Sequence, residues 1–83
     1  MNATTTSQIF QDLACEINSA RAKFPGNEFL LAALMEEVGE LAKAYLEREG
    51  HARVRAEAIQ VACVALRIAE EGDATFTSGR RNE

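Results

Sequence analysis

The chain reads as all-α, an antiparallel helical bundle subunit of three to four helices that assembles further by oligomerisation. Three observations lead there. Apolar residues recur at three- and four-residue steps over three separate stretches, the spacing of a helix face. One Pro and five Gly in 83 residues are too few for a turn-dense all-β chain. The apolar fraction of 47% excludes a disordered tail.

The first helix is expected from Ser7 to Lys23. Ile9, Phe10, Leu13, Ile17, Ala20 and Phe24 form its apolar stripe, with Gln11, Asp12, Glu16 and Asn18 on the other face. Thr6 or Ser7 offers a capping hydroxyl. Pro25-Gly26 ends it, because the residue before a proline is pushed out of helical geometry.

The second helix is expected to start at Asn27, a good N-cap, and to run from Glu28 to Glu49. Its stripe is Phe29, Leu30, Ala33, Leu34, Val38, Leu41, Ala42 and Tyr45. The third is expected from Arg53 to Glu71, ending at Gly72. Its middle, Ala58 to Leu66, holds a single polar residue, Gln60. A helix apolar on all sides must be covered on all sides. So short a chain can hardly do that alone, and self-association through the third helix is expected. Residues 1–72 thus form one domain. Residues 73–83 show no periodicity and are expected to be a mobile C-terminal tail.

Charge and size narrow the partners. Nine Lys and Arg against thirteen Asp and Glu give a net charge of −4, which argues against binding nucleic acid. No apolar run approaches the ~20 residues that span a membrane. Met1 to Ser7 lacks the basic start and apolar core of a signal peptide, so a cytoplasmic location is expected. Cys15 and Cys63 lie apart among apolar neighbours and are expected to be small buried hydrophobes. A chain of this size buries only about 60–65% of its unfolded surface, which again favours a homo-oligomer, dimer or tetramer.

The chemistry concentrates in five residues. Glu36, Glu37 and Glu40 sit in the middle of the second helix, and no Lys or Arg occurs between residues 24 and 42. Glu37 and Glu40, three apart, project to one side, flanked by Leu34, Leu41 and Ala44. Crowded carboxylates on an apolar flank call for a cation. The third helix offers Glu57 and Gln60 at the same spacing. The short link from Glu49 to Ala52 makes the two helices antiparallel neighbours. Counting outward from it brings Glu37, Glu40, Glu57 and Gln60 within one turn of each other. Hard oxygen ligands of this kind suit Mg²⁺ or Mn²⁺ better than zinc. The blander reading of E-E-x-x-E is a solvated acidic face, and Gly39 ordinarily marks close packing.

The run Leu34-Met35-Glu36-Glu37-Val38-Gly39-Glu40-Leu41, followed by Glu57-Ala58-Ile59-Gln60, resembles the MazG-like, all-α nucleoside triphosphate pyrophosphohydrolase superfamily. Its members carry E-E-x-x-E and then E-x-x-D on the next helix, and the resemblance covers residues 8 to 72. It implies cleavage of a nucleoside triphosphate between the α- and β-phosphates, with Mg²⁺ or Mn²⁺, in a dimer or tetramer. Glu37, Glu40 and Glu57 match the metal ligands. Glu36 matches the position that binds metal or orients the attacking water. Gln60 departs from the family's last Asp, supplying a neutral carbonyl oxygen in place of a carboxylate.

Within that resemblance Glu36 or Glu40 is expected to take the water's proton. Lys43, Arg53 or Arg55 is expected to neutralise the phosphates, and Phe10, Leu13 or Ile17 to wall the base. Two alternatives stand beside it. One is a non-catalytic relative that binds a nucleotide or metal without turnover, which Gln60 favours. The other is a plain helical oligomerisation module with its glutamates in water.

Overall fold

The computed structural model describes residues 5–77. Its described residues form helices α1 (Thr6–Lys23), α2 (Leu30–Leu46), α3 (His51–Glu71) and a single turn, α4 (Ala74–Thr77). The segments 1–4 and 78–83, and with them most of the expected tail and the reading of the N-terminus, lie outside the described residues. None of the described helices is long and apolar enough to cross a membrane.

The cap of α1 is Thr5, ahead of the expected Thr6 or Ser7. Its hydroxyl accepts the Gln8 N–H at 3.1 Å while the Gln8 side-chain oxygen accepts the Thr5 N–H at 3.0 Å. Gln8, three residues on, closes this reciprocal box and so selects the cap.

Helix α2 starts later than expected, and Asn27 does not cap it. The Asn27 amide instead donates to the Glu71 carbonyl oxygen at 2.8 Å. Phe29 holds the N-cap position in the left-handed region (φ 62°) and offers no side-chain bond. The cap comes from across the fold. Asp73 Oδ2 accepts the Leu31 N–H at 2.7 Å, and the Thr75 hydroxyl accepts the Phe29 N–H at 2.7 Å. Asp73 is buried, and residues 73–75 are hydrogen-bonded to the segment Asn27–Leu31.

Helix α3 is central within the subunit, whereas its apolar middle was expected to lie at the centre of an oligomer. It packs against both α2 and α1, which do not touch each other. Asp12 pairs with Arg55, and Arg21 with Glu70 and Glu71, so α1 runs parallel to α3. Leu31 meets Asp73 beyond the far end of α3, and a short turn joins α2 to α3, so these two are antiparallel.

The apolar core is small: Ile17, Leu30, Ala44, Ile59 and Cys63. Cys63 is buried as expected, but Cys15 is exposed. Cys15 lies two residues, hence about 200°, from the buried Ile17, and lines an open groove between α1 and α3. The other buried anchor is Arg67. Its guanidinium donates to both oxygens of Glu71 at 3.0 Å and to the Gly26 carbonyl at 3.1 Å. Glu71 also accepts from Arg21 Nε at 2.9 Å, tying the end of α1 to the end of α3. The uncovered apolar surface is concentrated on α2 rather than on α3, where Leu66 is the exposed large hydrophobe.

Candidate functional site

The order of the helices opens a cleft of about 570 Å³ along one side of α3. Gln60, Cys63, Val64 and Arg67 form its floor, α1 and the Phe24–Gly26 turn one wall, and Phe29 to Glu37 the other. From Gln60 to Arg67 it is roughly 10 Å long at 1.5 Å per residue. Because α1 runs with α3 and α2 against it, the two ends of the cleft differ. Glu16, Glu36 and Glu37 gather at the Gln60 end. Lys23, Phe24, Glu28 and Phe29 gather at the Arg67 end.

Glu37 carries the strongest electrostatic signature of the acidic group. Partial burial pushes its carboxyl above the usual carboxylate range. The negative charges of Glu57, Glu36 and Glu40 push the same way, with Arg53 opposing them. Glu57, on the neighbouring helix, acts on it more strongly than Glu36 or Glu40 on its own. Glu57 is itself buried, with Oε2 at 2.7 Å from Arg53 Nη2. Arg53 also reaches Glu49 at 3.5 Å.

Of the expected site residues, Glu36, Glu37 and Gln60 line the cleft, and Glu57 is buried outside its lining, paired with Arg53. Glu40 is exposed and is not part of the walls. Lys43, Arg53, Arg55 and Phe10 are also outside them. Arg53 is held by Glu49 and Glu57. Arg55 faces α1, where it pairs with Asp12 beside a shallower groove of about 440 Å³ that shares Glu16, Ser19 and Gln60 with the cleft. Phe10 is 64% exposed. Of the other suggested base walls, Ile17 is in the core.

Sequence reasoning did not single out Glu16, Lys23, Phe24, Phe29 or Arg67 for the site. Arg67 had a readable signal, since Glu71 follows it at the four-residue spacing of a helical ion pair. Glu16 had none, because its level relative to Gln60 depends on how α1 lies along α3.

Among the described residues no three His, Cys, Asp or Glu side chains are gathered into a set that could hold a metal ion. Mg²⁺ does not require such a cage, since it is commonly held by one or two carboxylates, waters and substrate phosphates. Glu37 and Glu57 repel each other across the two helices, and Arg53 is already paired with Glu57. Compared with protein-family models, with curated proteins and with solved structures, the chain matches none.

Proposed function

We propose that this protein is a Mg²⁺-dependent pyrophosphohydrolase, converting a nucleoside triphosphate to the monophosphate and pyrophosphate in the cytoplasm. The observation that carries this reading is that Glu36, Glu37 and Gln60 line one end of the cleft, with the buried Glu57 on the neighbouring helix acting on the Glu37 carboxylate. The motif resemblance agrees with it.

A bound Mg²⁺ or Mn²⁺ would supply positive charge against the phosphate oxygens and acidify a water. Glu37 and Glu57 are the residues that would hold it, with the Gln60 carbonyl as a neutral ligand. Glu36, which lines the cleft, takes the proton of the attacking water; Glu40 stands further into solvent. Water adds to the α-phosphorus, the bond to the bridging oxygen breaks, and pyrophosphate leaves. Phe24 and Phe29 offer aromatic surface for the base at the other end of the cleft.

The test is incubation of the full chain with a panel of nucleoside triphosphates and Mg²⁺, reading pyrophosphate release. The expected result is turnover of at least one nucleotide, lost in Glu37→Gln. Folded protein that releases no pyrophosphate from any of them overturns the reading. Gln60 favours a second one, binding without turnover. Calorimetry would then show nucleotide binding in the absence of product, and Gln60→Asp would be expected to confer hydrolysis.

A further inference from the structure

The outer side of α2 is apolar along its length. Leu31, Met35, Val38, Ala42 and Tyr45 follow at steps of four and three residues, the seven-residue pattern by which one helix packs along another. All five are exposed, Met35 at 64% and Tyr45 at 68%. Their neighbours on that side, Leu34, Gly39, Leu41 and Leu46, carry no charge. Among the described helices α2 packs on α3 alone, and its buried residues Leu30 and Ala44 lie away from the stripe.

We propose that this stripe is a homodimer face, on which α2 of a second copy packs antiparallel about a two-fold axis at Val38. That arrangement sets unlike side chains opposite each other. Residues 31 and 45 are both seven from Val38, so Leu31 of one copy meets Tyr45 of the other. Positions 35 and 42 lie three and four residues from the axis, so the long Met35 faces the short Ala42. Val38 meets its own twin. A parallel pairing would set Met35 on Met35 and leave a gap between two alanines, against the alternation of large and small that fills a core.

Gly39 supports the same geometry. A mid-helix glycine costs about 1 kcal/mol relative to alanine. A Cβ there would meet none of the described residues within 4 Å, so no close approach among them calls for a glycine. It adjoins Val38, where two antiparallel helices would approach most closely.

The area is sufficient. The stripe and Leu46 leave on the order of 500 Å² of apolar surface uncovered, equal to the largest patch on many monomers. Doubled across the axis this is about 1,000 Å², the threshold for a specific interface. Glu40 lies about 200° round the helix from Val38, so pairing leaves the acidic side of α2 in solvent.

Sedimentation equilibrium of the full chain is expected to give twice the chain mass at micromolar concentration. Val38→Lys and Val38→Glu each set a charge against its twin, and each is expected to sediment as a monomer with its helix content kept. Mixing the two is expected to restore the pair. Should those variants lose their helical fold, cross-linking decides. In a Cys15→Ser background, Val38→Cys is expected to form a disulfide-linked dimer, while Met35→Cys does not. Antiparallel geometry separates the two copies of residue 35 by roughly 9 Å along the axis, beyond disulfide reach. A single-chain mass for the wild type overturns the proposal and leaves the stripe to a helix of another protein. A multimer indifferent to both Val38 charges, or cross-linking at 35 as readily as at 38, also overturns it. None of these readouts involves nucleotide turnover, so the outcome is independent of the hydrolase reading.

Discussion

The carboxylate of Asp73 caps the helix that begins at Leu30, accepting the Leu31 N–H at 2.7 Å from 42 residues away in the chain. A helix N-terminus leaves four N–H groups without intrahelical partners, and an anion there also meets the positive end of the helix dipole. The Leu31 N–H is the main reason the Asp73 carboxyl sits below its ordinary value, with the Thr75 and Phe29 N–H groups adding to it against partial burial. The end of the fold thereby fixes the start of α2, and with it the level of Glu36 and Glu37.

Asp73→Ala is therefore expected to loosen the start of α2. The melting temperature should fall by roughly 4–8 °C, the shift that loss of one helix cap produces in a domain of this size. Amide exchange at Leu31 should quicken while that at Ile59 keeps pace with global unfolding. An unchanged exchange rate at Leu31 would show that the cap contributes nothing.

Acid should act first through Glu71. The Arg67 and Arg21 guanidinium groups hold its carboxyl down to about 2, against about 4.3 in an unfolded chain. A depressed folded value means stability that is complete above the unfolded value and lost as pH falls toward the folded one. Urea midpoints should thus decline between about pH 4.5 and pH 2. In Glu71→Gln that decline should be shallower, from a lower starting stability at pH 7.

Glu37 has the opposite sign. Its raised folded value means that the folded state takes up a proton more readily than the unfolded one, so its charge opposes folding above that value. Without divalent metal, Glu37→Gln is expected to raise the melting temperature at pH 7. Millimolar Mg²⁺ should raise that of the wild type and leave the variant unmoved, since a ligand stabilises only the state that binds it. Equal shifts in both proteins would remove Glu37 from any metal site.

Arg67 is the costliest single side chain to truncate. It is buried and holds both Glu71 and the Gly26 carbonyl. Arg67→Ala should cost about 3 kcal/mol in urea unfolding, near the lower figure for breaking a buried pair, because Arg21 still faces Glu71. Arg67→Lys should recover little of it, since an ammonium cannot reproduce the planar fork.

Phe29 separates strain from binding. A bulky residue in the left-handed region carries about 1–2 kcal/mol of strain, and its ring is 65% exposed. Phe29→Gly is expected to keep or raise the melting temperature while raising KM for the nucleotide. A variant that binds as well as the wild type would dismiss the ring as a wall for the base.

Three of the four described helices and the apolar character of the middle of α3 were legible in the sequence. These follow from periodicity, from Pro25 and Gly72, and from one polar residue in the middle of α3, all local properties of the chain. Local spacing also marked Glu37, Glu40, Glu57 and Gln60 as one group, with Glu36 beside them. It could not rank them, because exposure depends on which side of α2 meets α3, and that contact leaves Glu40 in solvent while drawing Glu37 toward Glu57. Asn27 looked like the cap of α2 because its type and position suit one. Asp73 holds that place because the fold brings the end of α3 beside it, a proximity no window of neighbouring residues contains. The same holds for the cleft: its aromatic end and its acidic end exist only because α1 lies parallel to α3 and α2 antiparallel to it. Chain-local forces set the helices, and the packing of side chains distant in sequence decided which of their faces meet.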